Sequence, residues 1–86
     1  MKKILITGGA GFIGTNLTLD LVKDPENIII VYDNLSRKGV KHNIDFLIKQ
    51  GFTNLQFVYG DISDFNLLKR VVCGVDCVFH LAAQVA

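Results

Sequence analysis

Several residue types are scarce in this 86-residue sequence. It has no tryptophan, one methionine, one proline and two cysteines, Cys73 and Cys77. No third cysteine or suitably spaced histidine accompanies that pair, so the sequence predicts no metal site and does not favour a disulfide. We predict reduced, mostly buried thiols, as in a cytoplasmic protein.

Long apolar runs and an excess of charge are also missing. No stretch approaches the roughly 18 apolar residues of a membrane-spanning helix, and the apolar run after Lys2 and Lys3 is too short for a secretion signal. Nine basic and eight acidic residues are spread along the chain and give a net charge of +1. We therefore expect neither nucleic acid nor a membrane surface as a partner.

Apolar residues make up half of the chain and cluster in four short runs. The runs cover residues 3–7, 28–32, 55–59 and 77–81. Each is nearly continuous in apolar character and does not alternate, which is typical of strands buried on both faces of a parallel sheet. The sequence therefore predicts a sheet-rich α/β domain.

Helical patterns separate the four runs. The first starts at Phe12 and ends before Pro25, the second covers residues 43–50 and is closed by Gly51, and the third has Ser63 as its predicted N-cap. Apolar residues at spacings of three and four predict the inward faces: Phe12, Ile13, Leu17, Leu21 and Val22 in the first helix, Ile44, Leu47 and Ile48 in the second, and Phe65, Leu68, Val71 and Val72 in the third.

The resulting order of elements is β-α-β-α-β-α-β. Right-handed crossovers would arrange the strands as 3-2-1-4 in one parallel sheet, which is the front half of a Rossmann-type α/β fold. Such a fold normally continues with further strands and helices. We therefore predict that residues 1–86 are the N-terminal portion of a longer domain, whose remainder and substrate lobe lie outside this sequence.

Three glycines follow the first strand at positions 8, 11 and 14, in the segment TGGAGFIG. Gly8 allows a sharp turn off the strand end, Gly11 lets the backbone approach a diphosphate without an intervening Cβ, and Gly14 allows close packing of helix on sheet. The N–H groups at the start of the helix, at Phe12 and Ile13, would hold the diphosphate with help from the helix dipole. The pattern predicts a dinucleotide-binding turn.

An acidic residue stands where such a site needs one. Asp33 ends the second apolar run, 19 residues after Gly14, close to the separation of roughly 20 residues found in dinucleotide-binding folds. Its carboxylate would accept hydrogen bonds from the hydroxyls of the adenosine ribose and repel a 2′-phosphate, so we predict NAD rather than NADP. The chain is then part of an NAD-binding domain; FAD on the same turn is the alternative.

The remaining strand ends carry small or polar residues that would line the same crevice. Asp61 would accept a hydrogen bond from the adenine amino group while Ile62 packs against the ring; alternatively, Asp61 only orders the turn before the third helix. Arg37 belongs either to a solvated basic loop or to a contact with the adenosine. The predicted contact residues at these ends are Asn34, Ser36, Arg37, Asp61, Ile62, Leu81, Ala82, Ala83 and Gln84.

His80 is the one residue of the fourth strand with acid–base chemistry. No partners for a catalytic triad are visible, so we predict a structural role, with the ring packed and hydrogen-bonded beside the sheet. No catalytic residue is predicted in this chain.

Four motifs in order resemble the extended short-chain dehydrogenase/reductase superfamily of nucleotide-sugar epimerases and dehydratases. They are TGGAGFIG at residues 7–14, DN at 33–34, GDI at 60–62 and HLAA at 80–83. Within the superfamily, YDNLSRKG at 32–39 and FHLAAQVA at 79–86 look most like the CDP-paratose (CDP-tyvelose) 2-epimerases. One departure is Ala83, where that group is expected to have glycine.

The resemblance implies a tightly held NAD that takes a hydride from a sugar carbon and returns it, in a homo-oligomeric enzyme acting on a nucleotide sugar. It also implies a catalytic Tyr-x-x-x-Lys pair. Tyr32 and Tyr59 are followed four residues on by Ser36 and Ser63, so neither fits that pair. The catalytic residues are therefore expected outside this chain.

Two other functions stay open. A nucleotide-sugar 4-epimerase or 4,6-dehydratase would carry the same motifs. A protein that kept the fold without the chemistry would be a non-catalytic NAD-binding regulatory module. An in-frame Tyr-x-x-x-Lys beyond residue 86 would favour the enzyme.

Overall fold

The structure, a computed structural model, describes residues 1–36 and 39–81. The elements are β1 (Lys2–Thr7), α1 (Phe12–Val22), β2 (Asn27–Asp33), α2 (Val40–Lys49), β3 (Leu55–Tyr59), α3 (Phe65–Val71) and β4 (Cys77–His80). The predicted alternation of strands and helices is confirmed, and the strand bounds differ from the predicted ones by at most one residue.

The four strands form one parallel sheet in the order β3-β2-β1-β4, as predicted. At its carboxyl edge, Thr7 of β1 is in register with Tyr32 of β2 on one side and with His80 of β4 on the other. Asp33 is in register with Tyr59 of β3. The four strands therefore end at the same edge of the sheet, where a parallel α/β fold places its ligand.

The two faces of the sheet are covered by different helices. Ile4, Ile6 and Ile29 point to a core that includes residues of α1 and α2. Leu5 and Tyr32 point to the other face, where they pack with residues of α3. Because side chains alternate along a strand, the central strands are buried on both sides.

The outer strands differ from the prediction that all four are fully buried. In β3, Gln56 and Tyr59 are exposed, and in β4, Val78 and His80 are exposed. In the described sheet each of these strands has one neighbour, β4 packs on one face only, and on the α3 side of β3 only Val58 joins the core. The position of a strand in the sheet, and not only its apolar sequence, therefore decides how far its side chains are buried.

The predicted inward face of α1 is partly wrong. Phe12 and Ile13 are 81% and 69% exposed, whereas Thr15 and Thr18 are buried. The cause is Gly14, which brings the start of the helix against the glycine turn, so that small side chains and not bulky ones face the sheet. Small residues let the helix lie close to the turn and the sheet. The spacing of apolar residues does not reveal such close packing.

The second helix starts earlier than predicted. It begins at Val40, which is buried, and Gly39 precedes it in a left-handed conformation with φ +86°. Ile44 and Leu47 are buried as predicted, but Ile48 is 62% exposed. Gly51 has φ +72°, which agrees with its predicted role as the residue that closes the helix.

The third helix is capped by Asp64 and not by Ser63. The Asp64 side chain accepts a hydrogen bond from the Leu67 N–H at 3.1 Å, while Ser63 bonds to Asp61. Phe65 is exposed, and Leu67 packs on the sheet beside Leu68. Of the predicted inward residues, Leu68 and Val71 pack on the sheet, whereas Phe65 and Val72 are exposed.

The cysteines are less buried than predicted. Both thiols are unpaired in the structure, but Cys73, in the turn after α3, is exposed and Cys77 is half-buried.

Within residues 1–36 and 39–81, no helix has the length and apolar character needed to cross a membrane.

Candidate dinucleotide-binding site

The glycine turn links β1 to α1 through two backbone features. Gly8 has φ +72° and donates its N–H to the Tyr32 carbonyl at 2.8 Å, which ends β1 beside β2. A Cβ on Gly14 would lie 2.6 Å from the Cα of Gly9, a distance that side chains do not tolerate. The two glycines have the predicted geometric roles, except that Gly14 packs against the turn itself.

Gly11 is different, because the fold leaves room at this position. It is the N-cap residue of α1, with extended backbone, and a Cβ there would be in ordinary contact with the Gly8 carbonyl at 3.5 Å. Its own carbonyl accepts the first helical hydrogen bond, from the Thr15 N–H at 2.8 Å. Packing alone does not require glycine at this point of the turn.

The start of α1 has the properties of an anion site. The N–H groups of Phe12, Ile13 and Gly14 precede the first helical hydrogen bond and so have no acceptor inside the helix. No side chain caps this helix among the described residues, and its first turn contains no acidic residue. These N–H groups and the helix dipole are together suited to a diphosphate.

Asp33 lies directly beside the turn. Its Oδ2 accepts a hydrogen bond from the Ala10 N–H at 3.2 Å, and its Oδ1 accepts one from the Leu35 N–H at 2.8 Å. An ionised carboxylate has about four acceptor positions. Two of them are used here, so the half-buried group keeps capacity for the two hydroxyls of a ribose.

Asp61 is held at the end of β3. Its Oδ1 accepts hydrogen bonds from the backbone N–H and the hydroxyl of Ser63, at 2.9 and 2.8 Å, and its Oδ2 accepts one from the Asn34 amide at 3.4 Å. The Ser63 N–H first, then the Ser63 hydroxyl and the Asn34 amide, lower the pKa of Asp61 below its usual value. The exposed carboxylate thus stays ionised as an acceptor, and it also orders the turn before α3.

Sequence reasoning missed Tyr32, which supports this end of the site. Its buried hydroxyl donates to the Asp61 carbonyl at 2.5 Å, and a Cβ on Gly60 would lie 2.6 Å from its ring. Burial, followed by the charges of Asp64 and Asp61, raises the pKa of Tyr32 above its usual value. A tyrosine inside an apolar strand needs a partner for its hydroxyl, and that was the available signal.

His80 is hydrogen-bonded to β1 as predicted, but the residue is exposed and not packed. Its Nδ1 lies 2.6 Å from the Thr7 hydroxyl, and the Thr7 carbonyl accepts a hydrogen bond from the Leu81 N–H at 2.9 Å. These contacts join the ends of β1 and β4 at the point where the order of strands changes direction. This is the crevice in which doubly wound folds bind ligands.

The structure brings most of the predicted residues to one edge of the sheet. Gly8, Gly11, Phe12, Ile13 and Gly14 form the turn and the start of α1, and Asp33, Asn34, Asp61, Ile62 and Leu81 follow the ends of the other strands. Ser36 lies in the loop after β2, where its N–H donates to the Asn34 side chain at 3.0 Å. The predicted residues Arg37, Ala82, Ala83 and Gln84 lie outside the described residues.

Sequence comparison places the chain in a family. The family described as GDP-mannose 4,6 dehydratase matches residues 5–86, so the chain belongs to this family of epimerase and dehydratase homologues. It is 45% identical over 86 residues to the CDP-paratose 2-epimerase of Salmonella typhi, covering 98% of this chain and 25% of the relative. It is 42% identical over 86 residues to the dTDP-D-glucose 4,6-dehydratase of Dictyostelium discoideum, covering 96% of this chain and 19% of the relative.

Solved structures give the same result for the fold. The dTDP-glucose 4,6-dehydratase of Bacillus anthracis in complex with NAD superposes with a TM-score of 0.86 at 33% identity, covering 98% of this chain and 27% of that one. The UDP-glucuronic acid 4-epimerase of Bacillus cereus in complex with UDP-glucuronic acid and NAD gives 0.83 at 32% identity, with 98% and 27% covered. The chain spans about a quarter of the length of these relatives.

Proposed function

We propose that this chain is the N-terminal, NAD-binding portion of an enzyme that epimerises or dehydrates a nucleotide sugar. The observation that carries the proposal is the placement of Asp33 3.2 Å from the Ala10 N–H. It puts a carboxylate for the ribose next to a helix start whose N–H groups suit a diphosphate. Solved relatives with TM-scores of 0.83 and 0.86 are described as NAD complexes, which supports the choice of cofactor.

The residues present fit the diphosphate and adenosine parts of NAD. The N–H groups of Phe12 and Ile13 would bind the diphosphate, and the open position at Gly11 would let it approach the backbone. The two remaining acceptor positions of Asp33 would bind the ribose hydroxyls. At the end of β3, Asp61 and Ile62 would meet the adenine.

The charge of Asp33 also favours NAD over NADP. A 2′-phosphate at that ribose would lie against the carboxylate, and like charges in a half-buried site repel. If the Asp33 side chain moved away from such a phosphate, the Ala10 N–H would lose its hydrogen bond to the carboxylate. NADP binding therefore carries both a charge cost and a loss of order in the turn.

Bound NAD supplies reversible hydride transfer with a sugar carbon. This chain's own residues would bind and orient the cofactor. None of the described residues combines a tyrosine with a lysine four positions later, so we place the proton-transferring pair in sequence beyond residue 86. We also propose that the longer protein is a homo-oligomeric enzyme, as the resemblance to the superfamily implies.

Two reactions compete for the longer protein. Epimerisation at the 2-position of a CDP-linked dideoxyhexose is favoured by the 45% identity to the CDP-paratose 2-epimerase. A 4,6-dehydration is favoured by the family description and by the 42% identity to a dTDP-D-glucose 4,6-dehydratase. We take the 2-epimerase as the first candidate because that relative is matched at the higher identity.

An assay of the protein from the complete reading frame tests the proposal. The protein would be incubated with NAD and CDP-, UDP-, GDP- and dTDP-sugars, and the products followed by NMR. Inversion at the 2-position of a CDP-sugar supports the epimerase, whereas loss of water from a dTDP- or GDP-hexose identifies the dehydratase. NAD binding without turnover of any sugar would favour a regulatory module, and absence of NAD binding would contradict the proposal.

A further inference from the structure

A side chain of α2 reaches the glycine turn. Asn43 is half-buried, and its amide nitrogen donates to the Ala10 carbonyl at 2.7 Å, across 33 residues of sequence. A carbonyl oxygen only accepts, so the donor must be the NH₂ group of Asn43. The contact ties the second helix to the start of the first.

This contact completes a set of restraints on two consecutive peptide groups. The N–H of the Gly9–Ala10 peptide is held by Asp33 at 3.2 Å. In the next peptide, the Ala10 carbonyl is held by Asn43 and the Gly11 N–H by the Gly8 carbonyl at 3.2 Å. Three of the four polar atoms that lead into α1 thus have a fixed direction.

The orientation of the Ala10–Gly11 peptide matters for anion binding. If that peptide flipped, the Ala10 carbonyl would point at the Gly8 carbonyl, the hydrogen bonds from Asn43 and from the Gly11 N–H would be lost, and the turn that leads into the N–H groups of Phe12 and Ile13 would lose its order. The hydrogen bond from Asn43 turns the carbonyl towards α2. A site ordered before binding also loses less conformational freedom when the ligand arrives.

We propose that Asn43 is a positioning residue for the diphosphate, acting through the Ala10 carbonyl and without touching the cofactor. The inference rests on the proposed NAD site and extends it to a helix that carries none of the predicted contact residues. A residue that only stabilised α2 would affect folding and every ligand equally. A positioning residue acts on ligands that contain the diphosphate.

The test uses the protein from the complete reading frame and three ligands: NAD, ADP and adenosine. Asn43→Ala removes the donor, and Asn43→Asp keeps the size but places an acceptor against the carbonyl. Gln50→Ala is the matched control, because the Gln50 amide donates to the Phe46 carbonyl at 3.2 Å on the exposed end of the same helix. Dissociation constants are measured by calorimetry, and by competition where binding is weak.

We expect Asn43→Ala to weaken NAD and ADP binding roughly 5- to 15-fold, the usual effect of one lost hydrogen bond, and Asn43→Asp to weaken it further. Adenosine binding should change less than about twofold, and Gln50→Ala should leave all three constants within that range. Unchanged NAD binding, or an equal loss for adenosine, would overturn the positioning role.

Hydrogen exchange at the amides of Ala10 and Gly11, which are hydrogen-bonded to Asp33 and to the Gly8 carbonyl, provides a second readout without ligand. Faster exchange in Asn43→Ala at these amides, with the sheet amides unchanged, supports the inference, and unchanged exchange there overturns it. If Asn43→Ala fails to fold, Asn43→Ser retains a shorter donor and replaces it in both measurements. A wild-type protein that binds no NAD would contradict the proposed function, while the exchange data would still decide the role of Asn43.

Discussion

Asp33 at the end of β2 accepts a hydrogen bond from the Ala10 N–H of the glycine turn, at 3.2 Å and across 23 residues of sequence. The acidic residue and the turn are usually treated as separate determinants of dinucleotide binding, one for the ribose and one for the diphosphate. In this chain they are hydrogen-bonded to each other. If NAD binds as proposed, this contact holds its ribose and diphosphate sites in a fixed position relative to one another.

Changing Asp33 should separate its charge from its hydrogen bond. In Asp33→Asn the side-chain oxygen can still accept from Ala10, but the repulsion of a 2′-phosphate is gone, so NADP binding should improve and the preference for NAD should fall at least about tenfold. Asp33→Ala loses the negative charge and the hydrogen bond to Ala10, so it should bind NAD more weakly than Asp33→Asn does. Calorimetric titration of both cofactors checks this. An NAD-to-NADP ratio that is the same in wild type and Asp33→Asn would contradict the assignment.

Two glycines of the turn should respond differently to alanine. In Gly14→Ala the new Cβ would lie 2.6 Å from the Cα of Gly9, so overpacking should lower the free energy of unfolding by about 1–3 kcal/mol. In Gly11→Ala the Cβ meets only an ordinary contact, so stability should change by less than about 1 kcal/mol, while NAD binding is lost.

Urea denaturation and NAD titration of both variants make the comparison. Gly11→Ala serves as the stability control for Gly14→Ala. Full NAD affinity in Gly11→Ala would mean that no ligand approaches the turn there. An unchanged urea midpoint in Gly14→Ala would contradict the packing.

Tyr32→Phe removes the donor to the Asp61 carbonyl and should cost about 1 kcal/mol of stability near pH 7. Because the pKa of Tyr32 is raised in the folded state, its neutral form stabilises the fold fully below the unfolded pKa of about 10, and this contribution is lost as the pH rises through the folded pKa. Urea unfolding between pH 8 and about 11 should therefore show a steeper alkaline decline in wild type than in Tyr32→Phe. The exposed Tyr59→Phe is the control and should keep the wild-type decline.

Much of the fold follows from the sequence, because short continuous apolar runs and glycine punctuation are local signals. They predicted four strands, their order and the position of Asp33 at a strand end. The inward face of α1 was not predictable from periodicity, since threonines face the sheet and Phe12 does not. The contacts of Tyr32 and Asn43 join residues 29 and 33 positions apart, and no local pattern encodes such pairs.

The 86-residue chain in isolation should self-associate. β4 has one neighbour in the described sheet. Val78 of β4, Phe65 of α3 and Val72 directly after α3 are exposed. An uncovered strand edge beside apolar side chains is a surface for intermolecular pairing. Light scattering at increasing concentration should show growing mass. A stable monomer with cooperative unfolding would instead favour an autonomous NAD-binding module.

The most direct test of the central claim is a crystal structure of the protein from the complete reading frame with NAD. We predict that diphosphate oxygens lie about 2.7–3.2 Å from the backbone nitrogens of Phe12 and Ile13, and that the adenosine ribose hydroxyls donate to Asp33. The Ala10 carbonyl should still face Asn43. NAD bound elsewhere, or a diphosphate that does not contact the start of α1, would contradict the account.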